Sequence, residues 1–320
     1  MSSPDPSKPK KILSIDGGGI KGVFPASFLA SIEQQLGGNV ADHFDLIVGT
    51  STGGIIALGL GLGYSAQEIL DFYKQRGPEI FGGNSWFTGL RRLISSKYRP
   101  TALRDALQDR FGDRLLGEST KRLVIPSLNL DTGEVYIHKT AHHTRFGRDY
   151  KERVVDIALS TSAAPTYFPA HRMPTGSPLI DGGMWANNPT GLAVVEAIGV
   201  LGWSPASIQV LSLGCTTEPV RTGGNGIAKG LSYWAMQAVE TMMSAQSSSS
   251  TGTAAVLTSH AQIKRINPSV ARRKYSLDNC EVIDSLEGLG SSCARTEYPH
   301  IEHFFKDEAE PFVPFYQLTK

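Results

Sequence analysis

The sequence predicts an α/β protein with a mostly parallel central sheet, and three stretches carry that prediction. From Phe44 to Val48 four of five residues are apolar, the pattern of a strand buried on both faces of a parallel sheet. It leads through Gly49-Thr50-Ser51-Thr52-Gly53 into the apolar Ile55-Ile56-Ala57-Leu58, which can start a helix. Upstream, a strand over Lys10 to Ile15 meets Asp16-Gly17-Gly18-Gly19-Ile20-Lys21-Gly22 and then a helix from Val23 to Leu36. Further on, Ile208 to Leu213 reads as another buried strand. Strands followed by tight glycine turns and helices are the sequence form of helices packed on a parallel sheet.

Taken in order, the first helix has Phe24, Phe28, Leu29, Ile32 and Leu36 at helical spacing, and Gly37-Gly38 ends it. After the Ser51 turn, Ser65-Ala66-Gln67-Glu68 is a capping box, so a helix should run to about Phe81. Residues 82–100 interleave Trp86, Phe87, Leu90, Leu93 and Ile94 with Arg91, Arg92 and Lys97. That mixture suits either a flap at a lipid interface or a surface loop packed on the core. A helix follows from Thr101 to Phe111. Leu123 to Leu130 and Glu134 to His138 read as strands joined in a hairpin across Asp131-Thr132-Gly133. Val154 to Ala164 is a helix ended by Pro165. Leu179-Ile180-Asp181 is a short strand running into Gly182-Gly183, and Asn187-Asn188-Pro189 caps a helix from Thr190 to Gly199. Leu231 to Met243 is helical in pattern, Ser247 to Gly252 reads as a Ser-rich linker, and Lys264 to Lys320 has no assignable pattern. These readings divide the chain into a flexible tail over 1–9, a catalytic unit over 10–214, and a C-terminal part over 215–320 packed on it.

Composition narrows the function. The formal net charge of +1 argues against DNA or RNA as a partner, because nucleic-acid binding depends on excess basic charge. Cys215, Cys280 and Cys293 show neither metal-ligand spacing nor a disulfide framework, which suits a reducing, cytoplasmic compartment. The residues from Met1 to Lys11 have no apolar stretch of the secretory kind, and no apolar run is long enough to span a bilayer. Neither a metal nor a cofactor is expected.

Chemistry centres on Ser51. Gly49-Thr50-Ser51-Thr52-Gly53 fits G-x-S-x-G in its required strand–turn–helix setting, where the glycines allow a turn sharp enough to expose the serine hydroxyl. Gly17, Gly18 and Gly19 can aim backbone N–H groups at one anion, as an oxyanion hole for that serine. Gly17, Gly19 and Gly22 also satisfy the dinucleotide fingerprint. However, Asp42 precedes the second strand instead of following it, and no Gly-Lys-Ser/Thr completes a phosphate loop. A serine needs a base. The order Ser51, Asp181, then His260, His300 or His303 is formally that of a Ser–His–Asp esterase, but the turn comes after only one identifiable strand and none of those histidines follows a convincing one. The other solution is a dyad with Asp181 as base, whose carboxyl partial burial would raise from its ordinary value near 4.

Asp16-Gly17-Gly18-Gly19-Ile20-Lys21-Gly22, Gly49-Thr50-Ser51-Thr52-Gly53 and Asp181-Gly182-Gly183, in that order, resemble the three signatures of the patatin-like phospholipases. Ser162 to Phe168 and Asn187-Asn188-Pro189 resemble family segments too, so the likeness covers roughly Lys10 to Leu213. It implies a three-layer α/β/α fold and lipid acyl hydrolase activity through a Ser51–Asp181 dyad, with the Gly17–Gly19 backbone as oxyanion hole. The family often has arginine where this chain has Lys21, which keeps the charge but loses the planar fork. The chain is similar to bacterial members, some of them anti-phage effectors switched on by a cyclic dinucleotide. That likeness implies membrane phospholipid as substrate at the inner membrane surface and a cyclic dinucleotide as activator. The basic and aromatic residues Lys264, Arg265, Arg272, Arg273, Lys274 and Tyr275 are candidates for its phosphates and bases, and homo-oligomerisation stays open.

Overall fold

The computed structural model describes residues 8–81, 100–218, 231–271, 274–275 and 277–318. Buried β-branched and leucine residues form the centre of one sheet. β1 (Lys10–Ile15) pairs in parallel with β2 (Leu46–Gly49) on one side and β7 (Ile208–Leu213) on the other. β8 (Ile263–Ile266) extends the sheet beyond β7, and β3 (Arg122–Asn129) lies parallel to β2. Beyond β3 the pairings are antiparallel: β4 (Val135–Lys139) completes the expected hairpin, β6 (Pro178–Asp181) pairs with β3, and β5 (His171–Arg172) with β6.

Alternate side chains of these strands face opposite layers, as a pleated sheet requires. Leu13, Ile15, Ile47, Leu123 and Ile125 belong to a core that includes residues of α1 (Val23–Leu36), α2 (Thr52–Gly61), α3 (Ala66–Phe81), α4 (Pro100–Phe111), α5 (Val154–Thr161) and α9 (Ile283–Ile301). Ile12, Leu46, Val48, Val124 and Val210 pack instead with residues of α7 (Thr190–Gly199) and α8 (Leu231–Leu257). The fold is therefore three-layered, α/β/α. No described helix is long and apolar enough to cross a membrane.

Two departures from the sequence reading lie in the C-terminal third. The Ser-rich stretch Ser247 to Gly252 is not a linker but the interior of α8. Its small side chains let the helix approach α7 closely: a Cβ on Gly191 would stand 3.0 Å from the Ser250 carbonyl oxygen, and Ser250 Oγ accepts the Gly191 N–H at 2.8 Å. Tertiary packing of this kind overrides the weak helix preference of serine. The patternless segment after Lys264 forms α9, which packs on α1 and so joins the main core. Residues 82–99, with Trp86 and Phe87 and so the flap-or-surface-loop reading, lie outside the described residues.

Candidate active site

The sheet places the site by an interruption. β3 pairs with β2 only over Arg122–Val124, and further along it pairs with β6, Ser127 standing opposite Asp181. β4 overlaps both registers, at Val124 and at Ser127–Leu128, so it occupies the other edge of β3. β2 and β6 therefore share one lane beside β3 and run at each other head-on. Ser51 follows the end of β2 and Asp181 ends β6, so the two meet in the gap.

The turn at Ser51 is built by close backbone approach. Ser51 has φ 55° and ψ −121°, a region a non-glycine residue occupies only when its surroundings enforce it. Gly49 and Gly53 provide the room: a Cβ on Gly49 would lie 2.1 Å from the Gly53 carbonyl oxygen, and one on Gly53 would lie 2.3 Å from that of Ile15. The Ser51 N–H donates to Thr161 Oγ1 at 3.1 Å, and the Thr161 hydroxyl donates to the Pro126 carbonyl at 2.6 Å. Thr161 thus locks the turn onto α5 and β3. Ser51 Oγ then donates to Asp181 Oδ2 at 2.7 Å, while Asp181 Oδ1 accepts the Gly183 N–H at 2.6 Å. Gly182 lets the chain pass β3, since a Cβ there would lie 2.2 Å from the Pro126 carbonyl oxygen. Burial raises the Asp181 carboxyl from 3.8 to about 6, the bonds from Ser51 and Gly183 offsetting only part of the desolvation. A carboxylate with that value is a usable base at neutral pH.

The glycine loop lies against this pair, a Cβ on Gly17 being only 3.2 Å from Ser51 Cβ. Its three residues do not serve alike. The Gly17 N–H donates to the Asn187 carbonyl at 3.0 Å, so it is already used. Gly18 and Gly19 line the cavity, and among the described residues no acceptor is bonded to their N–H groups. Of the three glycines expected to supply oxyanion donors, Gly17 therefore has its N–H occupied, while Gly18 and Gly19 are the two that line the cavity. Gly22 sits where α1 begins, and a Cβ there would meet Thr52 Oγ1 at 2.2 Å. Lys21 is half-buried and does not line the cavity.

That cavity, of about 310 Å³, opens on Ser51 and Asp181 and is walled by apolar groups, among them Phe72, Ile80, Phe168, Met184, Met242 and Met243. Among the described residues no histidine lines it. His260, His300 and His303 are exposed and away from Ser51. A Ser–His–Glu chain with the distances of a triad does exist, His138 bridging Ser160 Oγ at 3.0 Å and Glu152 Oε2 at 2.7 Å. Its serine and histidine are fully buried, closed to any substrate. No described cluster of histidine, cysteine or acidic residues could hold a metal ion.

The basic C-terminal candidates are largely engaged elsewhere. Lys264 pairs with Glu297 at 2.7 Å, and Arg265 pairs with Asp16 at 2.6 Å. Tyr275 is a core residue, 3% exposed and bonded to Ser285, so its ring face is not offered to a nucleotide base. Arg272 and Arg273 lie outside the described residues. Sequence reasoning gave Thr161 no role, read Asn187 as a helix cap and family segment, and placed Arg265 among the candidates for nucleotide phosphates. For Arg265 a signal existed: Asp16, after a buried strand, needs a cation or several donors to stay buried.

Comparison with known proteins fits this geometry. The description "Patatin-like phospholipase" matches residues 13–194. The chain is 37% identical over 245 residues, 74% of its length and 72% of the relative's, to a cGAMP-activated phospholipase of Pseudomonas aeruginosa. It is 30% identical over an alignment of 339 residues, 95% of each chain, to a cGAMP-activated phospholipase of Escherichia coli. The fold is similar to that of VipD from Legionella pneumophila, with a TM-score of 0.50 at 12% identity, covering 92% of this chain and 67% of that one. With its three motifs converging on one cavity, the chain belongs to the patatin-like phospholipase family.

Proposed function

We propose that this chain is a phospholipid acyl hydrolase working through a Ser51–Asp181 dyad and switched on by a cyclic dinucleotide at the inner membrane surface. The observation that carries the reaction is the 2.7 Å bond from Ser51 Oγ to Asp181 Oδ2 at the floor of an apolar cavity. Ser51 Oγ attacks the ester carbonyl as its proton passes to Asp181. The tetrahedral oxyanion faces the N–H groups of Gly18 and Gly19, where one good donor is worth roughly 3–4 kcal/mol. Collapse breaks the ester C–O bond, and the departing lysophospholipid alcohol takes the proton from Asp181. Water, deprotonated by Asp181, then attacks the acyl-enzyme and releases the fatty acid with Ser51 restored. The apolar cavity matches an acyl chain better than a hydrophilic ester, which disfavours the soluble-ester reading.

Gating is supported by the printed names of the Pseudomonas and Escherichia relatives, the second of which aligns along nearly the whole chain. A ligand can switch the enzyme only by binding its active conformation more tightly. About 5.5 kcal/mol of difference takes the active fraction from 1% to 99%. The test is fatty-acid release from phospholipid vesicles by purified protein with and without cGAMP. Release that depends on cGAMP and disappears in Ser51→Ala supports both parts. Equal release without any cyclic dinucleotide removes gating, and no release under either condition removes the phospholipase reading.

A further inference from the structure

Arg265 lies on β8, in the part of the chain beyond residues 13–194, and does not line the cavity. Its guanidinium is nevertheless the hub of the polar network under the glycine loop. Nη1 and Nη2 donate to the two carboxylate oxygens of Asp16 at 3.1 and 2.6 Å, a two-pronged pairing that only arginine can make. Nη1 also donates to Ser212 Oγ of β7 at 2.7 Å, and Nη2 to Ser247 Oγ of α8 at 3.3 Å. Ser247 in turn accepts Asn188 Nδ2 at both its carbonyl and its hydroxyl, at 3.1 and 3.2 Å. The neighbouring Asn187 carbonyl accepts the Gly17 N–H at 3.0 Å.

These contacts close a ring: Asp16, Arg265, Ser247, Asn188, Asn187, Gly17. Gly18 and Gly19, whose N–H groups have no acceptor among the described residues, leave that ring directly. The same ring holds the segment after Asp181, since Asn187 and Asn188 lie between α6 (Gly183–Ala186) and α7. Asp16 is buried and Arg265 half-buried, their side chains 5% and 17% exposed. Buried ion pairs return little net stability once desolvation is counted, so fixing a geometry is the better account of one placed here.

We infer that Arg265 is a positioning residue for ester hydrolysis. Through Asp16 and Ser247 it holds the oxyanion loop and the Asp181 loop in register, without touching substrate. Lysine at this position keeps the charge but has one donor head where the ring needs a fork. The N–H groups of Gly18 and Gly19 then drift from the oxyanion position, and small displacements of such groups are costly in rate.

This rests on the hydrolase reading above, and the test separates the two. Arg265→Lys, Ser247→Ala and wild type are compared with cGAMP present throughout. The readouts are hydrolysis of a short p-nitrophenyl ester, fluorophosphonate labelling, thermal melting, and binding of a trifluoromethyl ketone and a non-hydrolysable ether analogue. The ketone needs the oxyanion site because it forms a tetrahedral adduct on Ser51, whereas the ether does not. For Arg265→Lys, kcat should fall at least about tenfold with KM within about twofold, and ketone affinity should fall by a similar factor while ether affinity holds. Ser247→Ala, which removes one hydroxyl, should shift kcat and ketone affinity in the same direction by roughly two- to fivefold. An Arg265→Lys enzyme with kcat within about twofold of wild type, or one that loses ketone and ether affinity equally, overturns the inference. If Arg265→Lys does not fold, Ser247→Ala decides, and an unchanged kcat there overturns it. Wild type that neither cleaves the ester nor takes the fluorophosphonate overturns the hydrolase reading as well.

Discussion

Replacing Asp181 by asparagine should abolish hydrolysis and at the same time stabilise the protein, in a way that depends on pH. The Asp181 carboxyl titrates at about 6 in the folded chain against an ordinary 3.8, and the cause is burial. Each pH unit by which the folded value exceeds the unfolded one is worth about 1.4 kcal/mol. For a raised carboxyl the folded state holds its proton more tightly. The folded state therefore suffers no penalty below pH 3.8, loses stability as the pH climbs, and bears the full cost above about 6. Integrating that linkage gives a cost of about 3 kcal/mol at pH 7.5 and roughly half that at pH 5. Asparagine is neutral at both, can accept the Gly183 N–H through its carbonyl, and has nearly the same shape. Urea unfolding of the two proteins should therefore show Asp181→Asn ahead by up to about 3 kcal/mol at pH 7.5, with the advantage roughly halved at pH 5. A variant no more stable than wild type at pH 7.5, or one whose advantage ignores pH, would refute the claim that the chain keeps a costly buried carboxylate for chemistry.

The same titration sets the pH profile of acylation, measured as the rate of fluorophosphonate labelling at Ser51: it should rise with pH and reach half its plateau near the Asp181 value of about 6. A half-plateau near pH 4, or a rate that falls as pH rises, would exclude Asp181 as the base. Alanine at His260, His300 or His303, one at a time, should leave at least about a tenth of the ester hydrolysis, since losing a catalytic base costs roughly a hundredfold or more. A thousandfold loss at any of them without unfolding would favour a Ser–His–Asp triad. Gly53→Ala would push a Cβ to 2.3 Å from the Ile15 carbonyl oxygen, whereas one at Gly37 meets nothing within 4 Å. Thermal melts should show Gly53→Ala losing several kcal/mol or failing to fold, and Gly37→Ala losing about 1–2 kcal/mol from its positive φ alone. Similar melting temperatures for the two would mean that the turn tolerates more adjustment than its backbone contacts allow.

Much of this architecture is legible in the sequence because it rests on local signals. Buried strands ending in glycine turns located β1, β2 and β7, and the box at Ser65 and Glu68 is realised, Glu68 accepting the Ser65 N–H at 2.9 Å. Ser51 and Asp181 are visible because their glycines are obligatory where backbones nearly touch. What stayed hidden depends on contacts between distant segments. Ser247 to Gly252 has the composition of a linker and becomes helix because small residues suit the surface of α7. The occupied N–H of Gly17 could not be told from those of Gly18 and Gly19, since only the fold brings the Asn187 carbonyl to one of the three. Arg265 reads as part of a basic run, and although a buried Asp16 calls for a cation, nothing local says that Arg265 is the one. Tyr275 looks equally available beside Lys274, yet the packing of α9 on α1 leaves it in the core.

The most direct test of the central claim is a rapid-quench experiment with a phospholipid of defined acyl chain, the protein incubated with cGAMP, and mass spectrometry of the peptide containing Ser51. An acyl-enzyme mechanism predicts that the Ser51 peptide gains the mass of the acyl group within the first turnover and loses it as fatty acid appears, and that Asp181→Asn forms none on that timescale. Fatty acid released with no acyl group ever found on Ser51, or released undiminished by Ser51→Ala, would contradict it.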